Sequence, residues 1–159
     1  MRIPIQVLIY PVRKTGGEWE YLMLKRIKGR GSFWQGVTGA PKSGETLSEG
    51  AKRELHEETG YSSVKLIKTD ISYMIPMEER WENIYPKGTK EIPEYLFIAV
   101  IHHPDPPKID PIEHNDWKWC FYEEAMNLLS WEDNKRALEY VQNYLNDNLK
   151  NKESKKKKI

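Results

Sequence analysis

The sequence has 159 residues, enough for one domain whose core needs neither a disulfide nor a structural metal. Hydrophobic residues make up 38% and charged residues 31%, no run approaches the roughly 20 apolar residues that span a bilayer, and a single cysteine excludes an intramolecular disulfide or a cysteine-cluster zinc site. The net charge of +1 hides an uneven distribution, because 150–159 carry six Lys and one Glu, about +5, which leaves the rest at about −4.

Taken in chain order, 3–12 is rich in Ile, Val, Leu and Tyr and reads as a strand rather than a signal peptide, since Gln6 interrupts it and no small-residue cleavage site follows. Gly16 and Gly17 mark a turn, and 19–27 returns as a second strand, so a hairpin is expected. A glycine-rich, Trp-containing stretch leads to a helix from Leu47 that Gly60 stops. A strand is expected over 63–75, a charged loop over 77–93, and the most apolar strand over 94–103. The prolines at 104, 106 and 107 forbid regular structure there. A short strand over 116–121 precedes helices at 122–129 and 132–147. Cys120, inside the aromatic run WKWCFY, reads as a buried, inert thiol. Strands before, between and after helices predict an α/β sandwich around a mixed sheet, with one domain over 1–149. The basic segment 150–159 reads as a disordered, solvated tail; it has no aromatics to stack on bases, so nucleic acid is not the expected partner. The bulk features fit a cytoplasmic protein.

The segment 39–61 carries the chemistry. Thr46 and Glu49 have capping-box spacing. Leu47, Ala51 and Leu55 form one apolar stripe, while Glu49, Lys52 and His56 face water. Glu58 projects into the apolar stripe, Glu54 lies about 20° outside it, and Glu57 is further round. Three carboxylates at i, i+3 and i+4 repel one another, and burying them unpaired costs several kcal/mol. The plain reading is a charged helix whose glutamates pair with Lys or Arg. The alternative is a divalent cation, for which oxygen-only ligands favour Mg²⁺ or Mn²⁺ over zinc.

Gly39, Glu45, Arg53, Glu54, Leu55, Glu57, Glu58 and Gly60 fall in the register of a complete Nudix box, with Tyr61 in place of the usual aliphatic residue. The chain thus resembles the Nudix hydrolase superfamily. FWQGVTGAP before the helix, and IEHNDWKWC and LSWEDNKRALEYV after it, resemble the dihydroneopterin triphosphate pyrophosphohydrolase branch, also described as dATP pyrophosphohydrolases; the loops over 76–93 match poorly. The resemblance implies a Nudix-type α/β/α sandwich and a Mg²⁺-dependent pyrophosphohydrolase, with Mn²⁺ able to substitute. A nucleoside or dihydroneopterin triphosphate would be cleaved to the monophosphate and pyrophosphate. It implies metal ligation by Glu54 and Glu58, with Glu57 a further ligand or the water-activating base, Gly39 offering its carbonyl, and Glu113 adding a distant carboxylate that is also a candidate base. Arg26 and Thr38 would lie near substrate, Ser130 would contact phosphate or base, and Trp34 would stack on a ring. Glu45 and Arg53 would hold the loop and orient the catalytic helix, and Arg26, Lys25 and the 28–30 turn would meet the polyphosphate. Two other readings remain: a dinucleoside polyphosphate hydrolase, and a non-enzymatic metabolite or RNA sensor, which would be expected to lose box carboxylates that this chain keeps.

Overall fold

The computed structural model describes residues 2–157 apart from 63, 103 and 104, with side chains described through 148. Strand β1 (Gln6–Thr15) turns back into β2 (Glu18–Arg26) with Thr15 paired to Glu18. Gly16 and Gly17 have φ of 59° and 87°, the pair of left-handed residues that a two-residue hairpin loop requires. Two short strands, β3 (Trp34–Gln35) and β4 (Val37–Gly39), lead into helix α1 (Leu47–Thr59). Both halves of the expected capping box form at Thr46 and Glu49, and Gly60 ends the helix at φ 77°. Strands β5 (Lys65–Pro76), β6 (Glu91–Val100) and β7 (His114–Phe121) follow, then α2 (Tyr122–Leu128) and α3 (Glu132–Lys157).

The strands form one seven-stranded sheet with the path β3-β2-β1-β6-β5, to which β4 adds beside β1 and β7 beside β2. The β1–β6 pair is parallel, from Gln6↔Glu94 to Val12↔Val100, and the other pairs are antiparallel. The mixed sheet is as expected. Strand β1 is central and buried on both faces, which accounts for its nearly unbroken apolar run. Its period-two alternation divides the core. Leu8, Tyr10 and Val12 pack with Leu138, Val141 and Leu145 of α3, while Val7 and Ile9 pack with Ala51 and Leu55 of α1. Helices therefore cover both faces.

Several boundaries differ from expectation, and β1 spans 6–15 rather than 3–12. Strand β6 begins at Glu91 inside the stretch read as loop, despite Pro93. Pairing with β1 starts only at Glu94, so the missing N–H of Pro93 falls outside that ladder. β7 begins at His114 rather than 116. Helix α3 continues to Lys157 rather than ending at 147, because no Gly or Pro follows Trp131 to stop it. The helix thus runs into the basic segment, and the solvated character expected for 150–159 concerns side chains outside the described residues. His103 and Pro104, expected at a strand end and in the proline-rich loop, lie outside them too. No helix among the described residues is long and apolar enough to cross a membrane.

Candidate active site

A cleft of about 600 Å³ opens at the end of the sheet where β1 and β6 begin. Helix α1 supplies Glu54, Glu57 and Glu58 to it, the turn before β7 supplies Glu113, and β2 and the following turn supply Arg26 and Arg30. Acid and base thus face each other across one space.

The helical reading of the glutamates holds. Glu58 is only 4% exposed and shares the buried face with Ala51 and Leu55, Glu54 is half-buried, and Glu57 is exposed. Burial pushes the Glu58 carboxyl well above the usual range, reinforced by its hydrogen bond to Glu113. The same contact holds Glu113 below its ordinary value. Glu54 is raised by burial, opposed by Arg53. Oε2 of Glu58 has no hydrogen-bond partner among the described residues. Neither ring nitrogen of His114 has one, although that residue is 2% exposed. Burial, then the positive charge of Arg26, lowers the His114 imidazole to about 4 and keeps it neutral. Ligand atoms of Glu58, Glu113 and His114 all lie within 4.8 Å of one another.

Arg53 does not face the cleft; it organises the carboxylates that do. Its Nε donates to Glu45 Oε2 at 2.8 Å and its Nη2 to Glu45 Oε1 and the Ala40 carbonyl, at 3.1 and 3.0 Å. Nη1 donates to Glu54 and Glu57, each at 3.1 Å. One guanidinium therefore ties the entry loop to two box carboxylates, the planar fork that Arg supplies and Lys does not. Glu45 is lowered in turn, first by Arg53 and then by the Lys42 backbone N–H. A Cβ at Gly39 would collide with the Glu54 carboxyl, so glycine there lets α1 approach β4.

A NUDIX domain model matches residues 2–143. The chain belongs to the NUDIX family. A NUDIX hydrolase structure from Listeria monocytogenes superposes with a TM-score of 0.80 at 31% identity, covering 92% of this chain and 97% of that one. The Escherichia coli dihydroneopterin triphosphate pyrophosphohydrolase gives a TM-score of 0.76 at 25% identity, covering 89% and 96%. An RNA pyrophosphohydrolase from Bartonella clarridgeiae is 34% identical over 106 residues, 61% of each chain. The chain spans 33% and 61% of the length of the first two curated relatives it matches.

Glu58 of the NUDIX box and the groups beside it fit a divalent cation. The unpartnered, buried Glu58 oxygen and the adjoining Glu113 oxygen are hard donors, with Glu54 beside them and the neutral His114 nitrogen within reach. His114 was not among the expected ligands; its place beside Glu113 was the available signal.

Two expected substrate contacts do not line the cleft. Trp34 packs against the α3-side core and bridges to Leu129, while its neighbour Phe33 lines the cleft. Ser130 is exposed and does not line the cleft; Trp131 does. In each case the adjacent residue lines the cleft instead. Lys25 pairs with Trp34 across β2–β3 and is likewise not part of the lining. Thr38 lines the cleft and accepts a 3.1 Å hydrogen bond from Gln35. Cys120 is buried, and its thiol is pushed up to about 11 by burial, so it is inert as expected.

Proposed function

We propose that this chain is a magnesium-dependent pyrophosphohydrolase that converts a nucleoside triphosphate or dihydroneopterin triphosphate to the monophosphate and pyrophosphate. The observation that carries this reading is the buried Glu58 oxygen without a partner, beside Glu113 and opposite Arg26. Arg26 and Arg30 are proposed to hold the non-reacting phosphate oxygens, and Thr38 to line their approach. Glu54, Glu58 and Glu113 form the proposed ligand set, with Gly39 allowing Glu54 its place. A divalent ion there would neutralise phosphate charge and lower the pKa of the attacking water. Glu57, exposed on the flank of α1 and tied to Arg53, is the proposed acceptor of that water's proton. The P–O bond to the new monophosphate forms as the anhydride bond to pyrophosphate breaks.

Assay of nucleoside triphosphates, dihydroneopterin triphosphate, 5′-triphosphate RNA and dinucleoside polyphosphates with Mg²⁺, products resolved by phosphorus NMR, tests this. Pyrophosphate released from a small triphosphate supports it, and Mn²⁺ should substitute. ATP released from a diadenosine substrate, with no pyrophosphate from any triphosphate, would establish the dinucleoside reading instead.

A further inference from the structure

On the α3 side the cleft ends in a second polar group that the chemistry above does not use. Gln6, Tyr73 and Glu94 come from β1, β5 and β6, and Asn134 from the first turn of α3; all four line the cleft. Glu94 is 2% exposed, in step with Leu96 and Ile98 on a face that is otherwise core. A carboxylate in that position is expensive unless its lone pairs are used. Gln6 Nε2 donates to one oxygen and the Tyr73 hydroxyl to the other. Asn134 lies beside the Tyr73 hydroxyl, and its Oδ1, also buried, has no hydrogen-bond partner among the described residues.

The direction of these bonds matters. The Gln6 amide and the Tyr73 hydroxyl spend protons on Glu94. The acceptors that remain open to an incoming group are the second lone pairs of the Glu94 oxygens and the Asn134 Oδ1, beside the second amide N–H of Gln6. Burial pushes the Glu94 carboxyl up, and the Tyr73 and Gln6 donors oppose that shift, so they favour the charged, accepting form. Near the mouth, Phe33 and Trp131 stand edge to face with centroids 5.8 Å apart, and the Arg26 guanidinium lies 5.7 Å from the Phe33 ring. Trp131 is 52% exposed and lines the cleft, so its ring is open to contact by a ligand.

We infer that Glu94, with Asn134, selects the substrate's heterocycle by accepting hydrogen bonds from a ring N–H beside an exocyclic amino group, the 2-amino-4-oxo edge shared by guanine and pterin. Adenine and cytosine present a ring acceptor beside their amino group and would set lone pair against lone pair. Hypoxanthine has the ring N–H but lacks the 2-amino donor. This inference rests on the proposal that the cleft holds a triphosphate of a heterocycle, but it is tested apart from turnover.

Equilibrium binding of GMP, IMP and AMP is measured by calorimetry, with turnover of GTP, ITP and ATP alongside. Each charge-assisted hydrogen bond is worth about 1.5–3 kcal/mol, so GMP should bind at least about 10-fold more tightly than IMP, and more tightly still than AMP. Glu94→Gln should reduce the GMP-over-IMP ratio toward unity while leaving IMP affinity much less changed. Tyr73→Phe, which removes only the hydroxyl that orients Glu94, should shrink the ratio in the same direction and serves if Glu94→Gln does not fold. Equal binding of GMP and IMP, a preference for AMP, or an undiminished ratio in a folded Glu94→Gln protein would overturn the inference. Selective GMP binding without hydrolysis of any triphosphate would leave it standing and defeat the proposed reaction.

Discussion

The α1 end of the cleft takes Glu54, Glu57 and Glu58 from one 13-residue helix, which also carries the Arg53 that ties two of them, whereas the Glu94 end takes single side chains from β1, β5, β6 and α3. The first cluster is local: i, i+3 and i+4 spacing brings its carboxylates together once the helix forms. The second exists only when the parallel β1–β6 pair and the packing of α3 are complete. Buried carboxylates are also treated differently at the two ends. Glu94 has a donor on each oxygen, while Glu58 keeps an oxygen unpartnered and meets another carboxylate. On the proposed reading, Glu94 is held in place to accept from a ligand, and the unsatisfied Glu58 oxygen would be available to a cation. Substitutions at the α1 end should therefore act on turnover and on metal linkage, and those at the other end on which ligand binds.

The largest expected effect is that of Glu58→Gln. Turnover with Mg²⁺ should fall by about 10²-fold or more, beyond the 10–100-fold typical of losing a mere supporting partner of a ligand. Stability should move the other way in chelator. The folded-state pKa of Glu58 is raised, so its contribution to stability is full below the ordinary carboxylate range and is lost as pH rises through the raised value. At neutral pH the metal-free variant should therefore melt above the metal-free wild type, and Mg²⁺ should raise the wild-type Tm only. A variant that melts lower in chelator yet still gains from Mg²⁺ would break the contrast with Glu94. Glu113→Gln is expected to lose roughly 10²-fold in rate. Arg53→Lys, which keeps the charge but not the fork, should lose about 10-fold or more in kcat with little change in KM, since no part of Arg53 lines the cleft.

A smaller effect follows from His114. Its folded pKa of about 4 lies below the ordinary 6.5, so the unfolded chain takes up a proton that the folded residue refuses. This contribution is full above pH 6.5 and is lost as pH falls toward 4. In chelator, the difference in Tm between wild type and His114→Asn should change across that interval and be constant above it. A difference independent of pH would mean that the ring is not held neutral.

These contrasts also explain what could be read without coordinates. The helix, its caps, the inward Glu58 and the hairpin at Gly16–Gly17 each follow from relations among residues fewer than a dozen positions apart. The catalytic end was legible because its signal is a period. Gln6 and Tyr73 are polar positions in largely apolar runs and Asn134 sits among charged residues, and no local rule says that they meet. Glu94 offered a faint sign, since it keeps step with Leu96 and Ile98 in the most apolar strand of the chain. Strand order decides the rest: only the parallel register Gln6↔Glu94 puts that carboxylate beside the amide that donates to it.

The tryptophans at 34 and 131 sharpen the comparison at its smallest scale. Trp131, exposed at the cleft against Phe33, has little to lose in folding when truncated. A ring contact of the kind proposed is worth about 0.5–1.5 kcal/mol, so Trp131→Ala should raise KM by up to about 10-fold with kcat and Tm nearly unchanged. Trp34 is packed against the α3-side core, and truncating it should cost about 3 kcal/mol or more in urea unfolding while KM stays close to wild type once the protein is folded. If Trp34→Ala instead raises KM without loss of stability, the stacking surface lies on β3 and not at the start of α3.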